Sequence, residues 1–251
     1  MPRFRFIPLL LSLYVLASCG PQTIESPQTA ATDLVIAPRS AWDAGPDKPD
    51  LMTPNGTIRF VTIHHTATPD TIPEVRHLQS IQEFHQDEDH NWGDIAYHYL
   101  IGPSGTIYEG RAEQYAPSSG TVYITPEQWT AAGQNDLGQT AASVPLDADG
   151  QEVERPGASA GHLIIAVLGD YSEVLPTTEA RDAVVRLAAA KLYEYGLSAD
   201  DVYFHREVAV VSDCPGQRFY DWFRGPERRY QSRGPGLDRI AAELDRLRAS
   251  N

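Results

Sequence analysis

Apolar and polar positions along the chain switch between a two-residue and a 3.6-residue period, and the switches mark its elements. Residues 58–64, rich in β-branched and aromatic side chains after a turn at Asn55-Gly56, predict the first strand. Thr71-Ile-Pro-Glu74 has the form of a capping box, and the helix it opens carries Leu78, Ile81, Phe84 and His85 on one face and ends near Glu88. Residues 95–101 and 106–111 read as strands joined by Gly102-Pro-Ser-Gly105, which predicts a hairpin. The near-continuous apolar run 162–168 predicts a central strand. Thr177-Thr178-Glu179 caps a helix whose stripe is Val184, Leu187, Ala188, Leu192 and Tyr195, ended by Gly196. A short strand over 201–205 follows, then a short helix from Cys214 through Trp222 with Pro215 early in it. Leu237, Ile240, Leu244 and Leu247 give a C-terminal amphipathic helix over 235–249.

Two stretches lack periodicity. Residues 19–37 are polar and proline-bearing and read as a flexible tether; Arg39-Ser-Ala-Trp42 then opens the ordered part as a surface loop pinned by Trp42. Residues 112–160, rich in Ala, Gly, Gln, Ser and Thr, read as a long inserted loop expected to border a cleft. Asp147-Ala-Asp149-Gly150 within it starts like a calcium loop but lacks the remaining ligands. His77, His85 and His90 read as surface or helix-face histidines.

Composition narrows the class. With 251 residues and 41% hydrophobic content, the chain predicts one domain with appendages, over 38–251. Its charge of −14 argues against binding nucleic acid through phosphates and against adhesion to anionic lipid through basic patches. At the N-terminus, Arg3 and Arg5 precede an apolar run over 6–17 that is too short to span a bilayer comfortably and reads as a secretory signal peptide. Leu16-Ala-Ser-Cys19 resembles a bacterial lipobox, which implies removal of residues 1–18 and lipidation of Cys19. Losing Arg3 and Arg5 takes the charge from −14 to −16. Gly20 in place of Asp favours, by the same resemblance, the periplasmic side of the outer membrane. The expected partner is therefore a membrane reached through the lipid, with the domain itself a monomer.

Candidate chemistry gathers around Val61-Thr-Ile-His64-His65-Thr66, a strand that ends in two histidines. About 140 residues later come His205-Arg-Glu and Ser212-Asp-Cys214-Pro-Gly216. One histidine of the pair with His205 and Cys214 makes a three-ligand N/N/S site, the arrangement of catalytic zinc, whereas structural zinc is closed by four protein ligands. Only two cysteines are present. With Cys19 committed to lipid, Cys214 is left unpaired in an oxidising compartment, and ligation as thiolate explains how it is tolerated.

Five motifs in order, Ile63-His-His-Thr66, Asp94-Ile-Ala-Tyr97-His98-Tyr-Leu-Ile-Gly102, Ile107-Tyr-Glu-Gly-Arg111, His205-Arg-Glu and Ser212-Asp-Cys-Pro-Gly216, resemble the peptidoglycan recognition proteins and the zinc-dependent N-acetylmuramoyl-L-alanine amidases, including phage amidase-type lysozymes. The resemblance covers about residues 38–225. It implies an α/β fold, a mixed central β-sheet flanked by α-helices, with a zinc cleft at one side. It also chooses His64 over His65, giving the ligand set His64, His205 and Cys214. Tyr97 matches the tyrosine that in the family assists the attacking water or the tetrahedral oxyanion. Ser212 stands where phage members have Lys and animal amidases Thr, and keeps a hydroxyl donor without the positive charge. Ala166 stands where some relatives place a glutamate base. Arg111-Ala-Glu113 replaces a frequent Arg-Gly-Trp. His65, His98 and Arg111 are the implied substrate-binding residues. The implied activity is hydrolysis of the amide between N-acetylmuramic acid and L-alanine in peptidoglycan or muropeptides. Two other readings share the cleft: a non-catalytic peptidoglycan sensor, in which members that only bind typically lack the cysteine, and a structural lipoprotein whose zinc would need a fourth ligand from His98 or Asp213.

Overall fold

A computed structural model describes residues 34–118, 160–209, 212–225 and 232–250. The expected signal peptide, Cys19 and most of the 112–160 segment lie outside the described residues. Six strands, β1 (Ile36–Ala37), β2 (Phe60–His65), β3 (Tyr99–Ile101), β4 (Ile107–Glu109), β5 (His162–Val167) and β6 (Val202–Phe204), form one sheet in the order β1-β4-β3-β5-β2-β6. Every neighbouring pair is parallel except the β3–β4 hairpin. The helices are α1 (Glu74–His85), α2 (Thr178–Glu194), the single turn α3 (His205–Val208), α4 (Gln217–Arg224) and α5 (Pro235–Ala249). This is the expected mixed sheet flanked by helices.

The period of two sorts β2 and β5 into two faces. Val61, Ile63, Leu163, Ile165 and Val167 face α2 and α5 in the main core, with the α5 stripe Leu237, Ile240, Leu244 and Leu247 buried against it. On the other face, Leu78 and Ile81 of α1 pack on Leu100 and Tyr108 over the β3–β4 half. Phe60, Ile164 and Tyr203 make only a small cluster with Val208 over the β5–β2–β6 part. His64 lies on this second face, at the C-terminal end of β2, opposite Ala166 of β5.

Several local expectations hold in detail. Thr177 Oγ1 accepts from the Ala180 amide at the start of α2 and donates to Pro103 O at 2.6 Å, tying α2 to the hairpin turn. Gly196 takes a left-handed conformation just beyond the helix.

Others are corrected. The tether does not extend to residue 37, because Ile36 and Ala37 pair in parallel with Ile107 and Tyr108. The capping box is absent: Pro73 is the N-cap and makes no side-chain cap bond, so Thr71 lies too far upstream. Glu74 instead reaches across to the hairpin turn, accepting from Ser104 N (2.7 Å), Ser104 Oγ (2.9 Å) and Tyr108 OH (2.8 Å). Helix α1 ends at His85, and Phe84 is 56% exposed, its ring 4.1 Å from that of His90 and tilted 49° to it. His77 and His85 lie in α1, as the helix-face reading has them, but both are buried, so the surface alternative does not hold for them. The predicted strand 95–101 shortens to Tyr99–Ile101, because the amides of Ile95 and Ala96 are taken by Asp94 Oδ1 and His85 Nδ1. Trp42 is fully buried in a 3₁₀ turn, its Nε1 donating to Glu109 O at 2.9 Å. Pro215 precedes α4 instead of lying in it.

Asn55 closes the base of the long segment. Its Nδ2 donates to Glu113 O (3.0 Å) and His162 O (3.1 Å), and its Oδ1 accepts from Gly161 N (2.8 Å). One buried side chain thereby joins the point where the segment leaves the sheet to the point where it returns.

Candidate metal centre

The last two residues of β2 set the site. A strand end holds its backbone by ladder bonds on both sides while its side chains leave the core, so donors placed there are rigid. His64 is buried and its ring stacks on that of His205, with centroids 4.2 Å apart and planes 24° from parallel. His205 follows β6 directly and opens α3. The sulfur of Cys214 lies 3.3 Å from the His65 amide, which donates to it, and 3.7 Å from the His65 carbonyl, to which the thiol can donate. Ligand atoms of His64, His205 and Cys214 all lie within 4.8 Å of one another, the one such group of His, Cys, Asp and Glu among the described residues.

The donor chemistry fits a divalent metal ion. Burial holds His64 well below its ordinary pKa, and the neighbouring His205, His65 and His162 rings add to the effect. Burial likewise takes His205 down to about 3, with His65 contributing. Two stacked imidazoles that stay neutral offer lone pairs rather than charge. Burial pushes the Cys214 thiol up to about 12, against the His65 amide bond and the Arg206 charge. A cation at the centre favours the thiolate, and the His65 N–H then remains as its hydrogen-bond donor.

The glutamate after His205 fixes its turn. Glu207 Oε2 accepts from the Phe204 amide at 3.0 Å, and both of its oxygens pair with Arg224 at 2.7 Å. Tyr220 OH donates to Oε1 at 2.9 Å. All of these groups are buried, so α3 and α4 are bolted together beneath the ligand. The pairing partner stands 17 residues downstream in a helix, where no sequence spacing signals it.

The other expected site residues separate into two sets. Tyr97 is half-buried beside the site, its ring 5.6 Å from that of His64. Ser212 Oγ lies 3.2 Å from His205 Nδ1 and accepts from the Cys214 amide at 3.1 Å, so its hydroxyl is already part of the ligand loop. His65 Nδ1 accepts from the Tyr171 amide at 3.2 Å, which orients its ring toward the loop after β5. His98 and Arg111, in contrast, are buried scaffold. His98 Nδ1 accepts from the Ile164 amide at 2.9 Å and its Nε2 lies 3.0 Å from Tyr115 O, so both nitrogens are occupied by backbone. Arg111 donates to the carbonyls of Ile95, Ala116, Trp92 and Asp94 and to Ser118 Oγ, which uses its whole guanidinium within the fold. Neither reaches the ligand group as a substrate contact, and neither His98 nor the exposed Asp213 joins it as a fourth donor. Glu113, of the unusual Arg-Ala-Glu, pairs with Lys191 of α2 at 2.8 Å.

Fold and donors together define an α/β domain with a buried two-histidine, one-cysteine ligand group at the C-terminal ends of parallel strands, where open α/β sheets place their ligands. Residues 54–217 match the N-acetylmuramoyl-L-alanine amidase family, and the chain belongs to it. It is 28% identical over 75% of its length to the human N-acetylmuramoyl-L-alanine amidase, spanning 28% of that protein. It is 27% identical over 74% of its length to peptidoglycan-recognition protein LE of Drosophila melanogaster, spanning 44% of it. The chain thus spans less than half the length of either. Among solved structures, Drosophila peptidoglycan recognition protein SD shares the fold at a TM-score of 0.55 and 22% identity, covering 80% of this chain and 99% of that one. Recognition protein LE, solved in complex with tracheal cytotoxin, a monomeric diaminopimelic acid-type peptidoglycan, matches at 0.54 and 26%, covering 74% of this chain and 90% of its own.

Proposed function

We propose that this chain is a zinc-dependent amidase that hydrolyses the bond between the lactyl group of N-acetylmuramic acid and the L-alanine of the stem peptide. The observation that carries the reading is the convergence of His64, His205 and Cys214 in a chain of the amidase family. Zinc held by these residues would polarise the amide carbonyl and make water a nucleophile near neutral pH.

The remaining work falls to the chain. Burial raises the Tyr97 phenol far above its ordinary pKa, and the nearby Cys214 adds to this, so Tyr97 stays protonated at any working pH. Such a phenol is a weak acid but a permanent hydrogen-bond donor. Its role is to stabilise the oxyanion that develops on the carbonyl. Ser212, bonded to His205 and to the Cys214 amide, orients the ligand loop. Ala166, opposite His64, supplies no carboxylate base. Tyr97→Phe is expected to lower kcat by about 10²–10³-fold with metal affinity unchanged, as loss of one oxyanion donor does. Equal kcat values for the two proteins would remove Tyr97 from the chemistry.

Metal affinity should rise about tenfold per pH unit around neutrality. The sign follows from the donors. Cys214, raised to about 12, carries a proton that the metal must displace, and raising pH assists this. His64 and His205, both depressed, are already neutral and release none. A chelator competition titrated across pH reads the slope directly, and a slope near zero would show that no thiol proton is released on binding.

The reading is tested by mass spectrometry of a defined muramoyl-peptide incubated with the full protein, with zinc and with chelator. Intact peptide and intact sugar, formed only with zinc, support it. Tight binding without cleavage would transfer the chain to the sensor role carried in the names of its recognition-protein relatives. The N-terminal pattern supports a further part of the proposal, a monomer anchored through lipidated Cys19 on the periplasmic side of the outer membrane. A Cys19→Ala protein that still fractionates with outer membrane would refute the anchor.

A further inference from the structure

We propose that Arg206 is a positioning residue for the ligand cysteine, holding the Asp213–Cys214 backbone at the distance from His205 that metal binding requires. The inference rests on the metal-site reading above. Arg206 is the residue directly after His205, and it grips the cysteine loop from three directions. Its amide donates to Cys214 O at 2.9 Å. Its Nη2 donates to Asp213 O. Its Nη1 donates to Gln217 Oε1 at 2.9 Å, and Gln217 Nε2 in turn donates to Asp221 Oδ1 at 2.7 Å. The guanidinium carbon sits 4.7 Å from the Tyr220 ring centroid, a cation–π contact. Tyr220 is itself fixed by Glu207, two residues beyond His205.

The ligand cysteine is therefore tied to both other ligands by different devices. The His65 amide, next to His64, holds the sulfur. Arg206, next to His205, holds the backbone that carries it. Without that grip, the connection between His205 and Cys214 reduces to the covalent path through the intervening residues, the Arg206 amide and the Ser212 hydroxyl. The site needs an arginine because the two acceptors of its side chain, the Asp213 backbone carbonyl and Gln217 Oε1, lie at different positions around one planar fork. A lysine ammonium has no such fork and does not stack in the same way on Tyr220.

The experiment measures metal affinity, not turnover. Full-length wild type, R206M and R206K are titrated with zinc against a chromophoric chelator, and the visible spectrum of the cobalt-loaded proteins is recorded. Thermal unfolding of the metal-free proteins checks the fold. R206M is expected to bind zinc about 10–100-fold more weakly, the usual effect of removing a group that orients a ligand. R206K should fall between R206M and wild type. The sulfur-to-cobalt band should shift or weaken in R206M. Affinity within about twofold of wild type with an unchanged cobalt spectrum would overturn the proposal, even if the metal-free protein melts lower. If R206M fails to fold, R206K carries the same test with the same overturning outcome. Failure of wild type to bind zinc would instead sink the metal-site reading itself.

Discussion

Cys214→Ala is expected to remain folded and to lose peptide release by more than about 10³-fold, since enzymes gain at least about 10⁶ over the uncatalysed reaction and this change removes the only sulfur donor. The two imidazoles left behind are stacked, neutral and buried, and bind a divalent ion weakly without the thiolate charge. The cost to the fold is small by comparison. Cys214 is only partly buried, and its sulfur touches the His65 amide and carbonyl. Truncation leaves that amide without its acceptor, a loss of about 1–3 kcal/mol. Zinc stoichiometry, thermal unfolding and peptide release measured on one preparation separate the two effects. A folded, zinc-free variant that still hydrolyses within tenfold of wild type would remove the metal from the mechanism.

Glu207→Ala should have the largest effect on stability. The Glu207–Arg224 pair is 2.7 Å long, with side chains only 3% and 5% exposed. Removing the carboxylate strands a buried guanidinium and frees the Phe204 amide and the Tyr220 hydroxyl. Breaking such a pair costs about 3–5 kcal/mol, which for a domain of this size lowers Tm by roughly 10 °C. The double variant E207M/R224M should recover a large part of the loss, because it leaves no buried charge. Calorimetry of the two variants tests this; a double variant no more stable than the single one would show that the pair stabilises beyond its own desolvation.

Sequence pattern exposed the elements whose side chains face one uniform environment. Strand β5 is apolar on both faces, α5 carries a clean stripe, and Thr177 sits where a cap must sit. The clustering of His64, His205 and Cys214 was legible for a related reason: few structural roles favour a histidine at a strand end, or an unpaired cysteine in a chain read as exported. His98 and Arg111 were misjudged because their partners are backbone groups, and a carbonyl or amide has no identity in sequence. Glu74 was misjudged because a residue at the start of a helix has two uses, and the hairpin turn 30 residues away offered the better one. Both errors concern polar groups whose partners are set only once the sheet has formed.

The order of the sheet also sets a schedule. Strand β2, which carries His64, lies between β5 and β6, and both follow it in the chain by about a hundred residues or more. When β2 emerges from the ribosome it has no neighbour to pair with, and the other two donors do not yet exist. His64, His205 and Cys214 come together only after the thiol at position 214 has been synthesised and both flanking strands have closed on the first. A metal ion held by these three residues would thus be captured only by a completed fold, in whatever compartment the protein finishes folding in.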